Sequence, residues 1–337
     1  MKICIIGAGA IGGLLGAKLS LAGENVTFVE KSAPHRDAIN KNGLKLLMHD
    51  GAALVADKVH AYADIGEPGS QDMVILAVKA HQIPAVAPDL KKLYTRDTMV
   101  VTLQNGLPWW YFQRHGGPLD GTRLKTLDPD GIIAANVEPE RIIGCVVFPA
   151  ASVAAPGVIQ HEEGDRFSIG ELDGSKSNRI QAIYNMIVGA GLKSYILDNV
   201  RAEIWLKAWG NLSFNPISAL THATMVDIAR FAPTRDLSVK MMEEAQIVAN
   251  KLGITFRHTI EKRMQGAESV GAHKTSMLQD VEAGHALEIE ALVGSIVEVA
   301  RLTDTPTPHI DAVYDCVKLL DKVMADQRAA VTLSPIH

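Results

Sequence analysis

The sequence predicts an α/β chain in which an N-terminal doubly wound parallel-sheet domain is followed by an all-α C-terminal domain. Three observations predict it. Short β-branched runs alternate with helical patterns through the first half, a glycine-rich turn joins the first run to the first helical stretch, and long helical periodicities without strand patterns fill the rest. In order, residues 2–6, 25–30, 73–78, 99–103 and 142–148 read as strands, with helical stretches at 11–21 and 82–93 between them. A helix at 177–189 and a strand at 193–197 complete the sheet domain, assigned to residues 1–198. Helical periodicity then dominates at 200–220, 234–252, 286–302 and 310–324, giving a helical substrate domain over 199–325, and residues 326–337 read as a loose tail.

Composition agrees with two globular domains. The 337 residues are 47% hydrophobic and 21% charged with a net charge of −5 spread along the chain, which excludes a disordered or polybasic protein and with it a nucleic-acid partner. Cys4, Cys145 and Cys316 are too few and too scattered for a disulfide framework or a zinc site, so no metal is expected and the cytoplasm is the natural compartment. The apolar run at 3–17 imitates a signal peptide. It is broken by glycines, lacks a convincing cleavage site, and falls short of the roughly 20 residues that span a bilayer, so no membrane partner is expected.

The motif Gly7-Ala8-Gly9-Ala10-Ile11-Gly12 follows the first strand and opens the first helix, the setting in which such a pattern binds a dinucleotide. Gly7 permits the tight turn, Gly9 lets the backbone approach a pyrophosphate, and Gly12 allows close helix-strand packing. The helix N–H groups at Ala10 and Ile11 face the negative charge. This identifies the sheet domain as Rossmann-type. Glu30, at the end of the second strand, is placed to accept hydrogen bonds from ribose hydroxyls, which favours NADH, whereas Lys31 beside it attracts the 2′-phosphate of NADPH.

Reducing a ketone leaves charge on its oxygen, so the site needs a proton donor and fixed hydrogen-bond donors. In the stretch Ile204 to Pro216, Lys207, Asn211 and Asn215 recur every four residues and form one polar stripe on an otherwise apolar helix. Periodicity alone leaves two readings open: a catalytic stripe, or a snorkelling core lysine with asparagines bonded to backbone. Pro216 is expected to kink or end the helix. Lys79 and Asn105 follow two apolar strand runs, where ligands of such sheets bind, though taken singly each also reads as a loop residue without a ligand. The region of His161 has no second histidine for a zinc protease, and no nucleophile elbow appears.

With these residues in view, the sequence resembles the ketopantoate reductase family from Met1 to about Val323. The resemblance is carried by the glycine motif, Leu76-Ala77-Val78-Lys79-Ala80, Gln104-Asn105-Gly106, Pro156-Gly157-Val158, the Lys207, Asn211, Asn215 stripe, and Ser276-Met277-Leu278-Gln279-Asp280 followed by Glu288. It implies NADPH-dependent reduction of a small 2-keto acid, ketopantoate, to its 2-hydroxy acid, pantoate. Lys207 would protonate the carbonyl oxygen and Glu288 would orient that lysine. By the same resemblance Asn211 and Asn215 hold substrate oxygens, Ser276 the carboxylate, Asn105 the substrate and nicotinamide region, and Lys79 lies beside the cofactor. A homodimer is expected.

Two features depart from the family pattern. The second strand ends in Glu30-Lys31, where family members carry a small or apolar residue and an arginine that meets the NADPH phosphate. Extra sequence between Asn105 and Ile142 includes Trp109-Trp110-Tyr111, close enough for at least one ring to reach the mouth of the cleft, with a surface elaboration or a dimer contact as the other reading of this insertion. Both features point to a second reading, an NAD-dependent D-2-hydroxy acid dehydrogenase similar to the D-mandelate dehydrogenases. A third reading is a nucleotide-sensing protein without catalysis, against which the intact site residues argue.

Overall fold

The computed structural model describes residues 1–333. The chain divides into two compact units: Met1–Gln104, Trp109–Arg123 and Asp128–Val200 in the first, and Asn105–Pro108, Leu124–Leu127 and the chain from Arg201 onward in the second. The expected division assigned 105–108 and 124–127 to the sheet domain; here they belong to the helical unit.

The first unit contains β1 (Lys2–Ile6), α1 (Ala10–Leu21), β2 (Asn25–Val29), α2 (Ala33–Asn42), β3 (Leu44–Leu47), β4 (Ala53–Ala56), β5 (His60–Tyr62) and β6 (Gln71–Leu76). These are followed by α3 (Ile83–Val86), β7 (Tyr94–Thr102), α4 (Ile132–Asn136), β8 (Ile142–Val147), β9 (Ala150–Ala155), β10 (Val158–Glu163), β11 (Phe167–Glu171) and α5 (Asn178–Gly189). Seven strands form one sheet in the order β11-β8-β7-β6-β1-β2-β5, parallel except for β11, which runs antiparallel to β8. Strand order reverses between β1 and β6, the position where such sheets open a crevice at their carboxyl ends.

Six of the eleven strands escape the sequence reading. Four of them, β3, β4, β9 and β10, form a separate sheet in the order β4-β3-β10-β9, and its Ile159 packs against Gly13 of α1. β9 is mostly alanine, a helix former without strand character of its own, and becomes a strand by pairing with β10. The expected helix at 82–93 is instead the single turn of α3 followed by a 3-10 stretch, Ala87–Leu93. Pro88 accounts for this: it has no N–H to donate and its ring crowds the carbonyl four residues back. Residues 193–197 run beside β11 as isolated parallel bridges rather than as a strand.

The aromatic run after Asn105 is core. Trp110, Tyr111 and Phe112 are fully buried and Trp109 nearly so, and the indole N–H of Trp110 donates to the Thr102 hydroxyl at 3.0 Å. The Trp110 ring occupies the space beside Gly144, where an added Cβ would come within 2.7 Å of it. The expectation that a ring from this run lines a substrate cleft is therefore corrected. Large apolar surfaces of this kind lose most by staying in water, and here they fill the unit's interior.

The second unit contains α6 (Val200–Thr221), α7 (Met225–Arg230), α8 (Ala232–Lys251), α9 (Ile260–Val270), α10 (Ser276–Ala283), α11 (Ser295–Leu302) and α12 (Pro308–Gln327). Of the two outcomes expected at Pro216, a kink or an end, the end does not occur: α6 continues through it, as the helical periodicity at 200–220 expects, with buried Phe214, Ile217 and Ala219 packed on both sides and holding the helix together. The stretch at 286–302 is not one helix either. A π-helical turn, Glu290–Gly294, precedes α11. α12 extends to Gln327, so the expected loose tail begins later than 326, and its residues 334–337 lie outside the described residues. No helix among the described residues is long and apolar enough to cross a membrane.

Candidate active site

In the first unit the chain leaves β1 through Gly7, whose φ of +100° is open to glycine at little cost. Gly12 admits no side chain, since a Cβ would lie 2.1 Å from the Gly7 carbonyl oxygen and 2.7 Å from the Ala77 Cβ on the neighbouring strand end. Gly9 is different: a Cβ there would meet nothing within 4 Å. The space outside Gly9 is open, and the N–H groups of Ala10, Ile11 and Gly12 in the first turn of α1 have no intrahelical acceptor. A pyrophosphate needs this combination of open approach and convergent N–H donors, so these residues fit a dinucleotide.

Glu30 lies just past β2, half-buried. Its two carboxylate oxygens accept the N–H groups of Ala8 at 3.0 Å and Ser32 at 2.8 Å, which fixes the carboxylate against the glycine turn. Lys31 is exposed, while the Arg36 guanidinium donates to the Glu30 main-chain carbonyl at 3.1 Å. Lys79 is half-buried at the turn after β6, and its N–H donates to the Gln82 side chain at 3.1 Å.

Two residues around this loop escape the sequence reading. Buried His35 accepts the Gly157 N–H on Nδ1 at 2.9 Å, so its proton is on Nε2, which donates to the Ala8 carbonyl at 2.9 Å. A neutral imidazole thus clamps the glycine turn to the Pro156-Gly157 turn. Gln104 donates to the carbonyls of Leu76 and Val78 at 2.9 and 3.0 Å, tying the end of β7 to the end of β6. Gln104 lies inside a motif already singled out and His35 near one, but neither has a periodicity that would have given it a role.

In the second unit, the Lys207 ammonium of α6 donates to the Asn105 side-chain oxygen at 2.6 Å, joining residues 102 apart in the chain. Asn105 is held in place by its neighbours. Gly106 has φ +79° and lies so close to the π-helical turn that a Cβ would be 2.0 Å from the Ala291 oxygen, and the Leu107 N–H donates to that oxygen at 3.1 Å. The same carbonyl accepts the Ser295 hydroxyl at 2.8 Å. A π turn skips the usual donor four residues ahead, and the Ala291 carbonyl it releases receives the Asn105 segment.

Along α6, Lys207 and Asn211 are half-buried and Asn215 is buried. Ser276 is exposed at the start of α10, where the Thr275 hydroxyl accepts the Leu278 N–H at 3.3 Å. Glu288 is half-buried in the segment before the π turn. Gly284 ends α10 with φ +69°, so Ser276 and Glu288 do not share one straight helix. Two of the expected site residues, Lys207 and Asn105, are thus brought together by a hydrogen bond. A lysine ammonium held on an amide oxygen, with two more amides following on one face, can protonate and hold the oxygens of a small polar substrate.

The sequence model described as Ketopantoate reductase PanE/ApbA matches residues 3–174, and Ketopantoate reductase PanE/ApbA C terminal matches residues 199–321. The 2-dehydropantoate 2-reductase of Mesorhizobium japonicum is 49% identical, over 95% of this chain and 98% of its own length. A candidate ketopantoate reductase from Ralstonia solanacearum MolK2 superposes with a TM-score of 0.90 at 38% identity, covering 98% of this chain and 99% of that one. D-Mandelate dehydrogenase, solved with NADH and anilino(oxo)acetate, shares the fold with a TM-score of 0.81 at 23% identity, covering 96% and 99%. With both halves of the chain matched, it belongs to the ketopantoate reductase PanE/ApbA family.

Proposed function

We propose that this protein is a 2-dehydropantoate 2-reductase that reduces ketopantoate to pantoate with a nicotinamide nucleotide. The observation that carries this reading is the hydrogen bond between Lys207 and Asn105 on a helix whose next two turns carry Asn211 and Asn215. The glycine turn and the first N–H groups of α1 would hold the dinucleotide, with Glu30 on its ribose side and Lys79 beside it. When bound, the reduced nicotinamide supplies hydride to the carbonyl carbon. Lys207 gives a proton to the carbonyl oxygen, and Asn105 keeps the ammonium oriented until substrate arrives. Asn211 and Asn215 hold substrate oxygens, Ser276 takes part of the carboxylate, and Glu288 acts on the charge and orientation of Lys207.

NADPH is the donor that the family resemblance supports, while the fixed Glu30 carboxylate supports NADH. Glu30 also supports the second reading, an NAD-dependent D-2-hydroxy acid dehydrogenase, but the aromatic run gives that reading no help because its rings are buried. A homodimer formed through the helical unit completes the proposal, and a molar mass from light scattering tests it. Assays of ketopantoate, phenylglyoxylate and branched 2-keto acids with NADPH and NADH test the function. Highest kcat/KM on ketopantoate is the expected result; preference for phenylglyoxylate with NADH would favour the second reading, and no turnover of any keto acid would favour nucleotide sensing.

A further inference from the structure

The arginines of the helical unit differ in how their charge is met. Arg257 pairs with buried Glu203 at 2.7 Å, Arg230 with Glu268 at 2.8 Å, and Arg235 with Glu261 at 2.7 Å. Arg263, on α9, pairs with none among the described residues. Its own helix's carboxylates Glu261 and Glu268 are taken by the other arginines. Its Nε is buried and without a hydrogen-bond partner, and burial lowers the guanidinium pKa, with no nearby carboxylate to offset it. A buried cation in this state is costly unless something satisfies it.

Its location is specific. The guanidinium lies against Gly210 of α6 so closely that a Cβ there would be 2.0 Å from Nη2 and 2.8 Å from Cζ. Gly210 is three residues from Lys207, hence its neighbour on one side of the helix, where such side chains stand about 5–6 Å apart, while Asn211 leaves the helix about 100° further round. The missing side chain at 210 is what lets an arginine reach this stripe.

We infer that Arg263 anchors the carboxylate of the 2-keto acid, its guanidinium at Gly210 supplying the counter-charge on the Lys207 side of the stripe. The inference rests on the proposed reduction of a 2-keto acid by this site. A guanidinium meets a carboxylate through paired N–H donors, whereas the hydroxyl of Ser276 and the amides of Asn211 and Asn215 are neutral. The specificity that results is for monoanionic keto acids over neutral ketones of the same shape.

The test compares the binding of ketopantoate and of its uncharged primary amide by calorimetry, in the presence of oxidised nucleotide, which has no hydride to give. Turnover of ketopantoate by the wild-type protein is measured separately and judges the proposed function by itself. In Arg263→Met, affinity for ketopantoate is expected to fall about 10- to 100-fold while affinity for the amide and for nucleotide stays within about 2-fold, as expected on losing hydrogen bonds to a charged group. Gly210→Ala places a methyl group where the guanidinium lies. It is expected to lower the acid-to-amide preference similarly, with little added effect in the Arg263→Met background. Arg263→Lys is expected to restore part of the preference, since it restores charge without the planar fork. An acid-to-amide ratio within about 2-fold of wild type in either folded single variant would overturn the inference, as would equal losses for acid and amide.

Discussion

The glycine turn of the first unit and the Lys207 stripe of the second present opposite kinds of site. The turn is built from backbone: Gly7, Gly9 and Gly12 contribute by lacking side chains, and the donors are main-chain N–H groups at the start of α1. The stripe is built from side chains on α6, completed by Asn105 and flanked by Arg263 from distant parts of the chain. A backbone site is determined within a few residues, whereas a side-chain site depends on every element that brings its members together. Function can therefore be removed from the second by one truncation, while the first is damaged mainly by adding atoms.

The largest expected effect is at Lys207. Lys207→Ala removes the proton donor and should lower kcat by about 100- to 10,000-fold, with the Kd for nucleotide changed less than about 2-fold. Stopped-flow turnover and fluorescence titration of the nucleotide check the two halves separately. Retention of more than about a tenth of wild-type kcat would remove Lys207 from the proton-transfer role.

Trp110→Ala comes next and tests the corrected place of the aromatic run. Deleting this buried ring beside Gly144 and Thr102 should cost about 3–5 kcal/mol of stability, read from urea unfolding, without changing the ranking of keto acids. A changed ranking at unchanged stability would return this run to the substrate site.

Gly12→Ala probes the backbone site by addition. The methyl group must displace the Gly7 carbonyl or Ala77, at a cost of about 1–3 kcal/mol, and the displaced carbonyl disturbs the turn proposed to face the pyrophosphate. Thermal denaturation should show a lower Tm and a smaller stabilisation by added NADPH than in wild type. An unaltered nucleotide-induced shift would separate the turn from cofactor binding.

The smallest effect is expected at Glu30. Glu30→Ala should raise kcat/KM with NADPH relative to NADH several-fold, because a carboxylate near a phosphate opposes binding and Lys31 then acts alone. Since Glu30 also bonds the Ala8 and Ser32 N–H groups, absolute activity should fall with both nucleotides. Only the ratio reports on the ribose side, and an unchanged ratio would mean that Glu30 serves the loop alone.

The sequence by itself determined the parts of this protein that depend on short-range pattern. β1, the glycine turn and α1 follow one another within the first 21 residues, and Lys207, Asn211 and Asn215 share a face because a helix repeats every 3.6 residues. Spacing gave their common face but left a catalytic stripe and a snorkelling lysine both open, and the roles proposed for them come from the family resemblance. The tertiary structure decided what spacing does not encode. It made alanine-rich Ala150–Ala155 a strand through a partner, and it buried the aromatic run that sequence position alone had put beside the substrate. It turned Glu290–Gly294 into a π turn whose freed carbonyl receives the segment after Asn105. In each case the deciding energy comes from what the segment pairs or packs with, near in the chain for Ala150–Ala155 on β10 and far for the Leu107 N–H on the Ala291 carbonyl. A local pattern fixes the direction in which a side chain leaves its helix, but packing alone determines what it meets there.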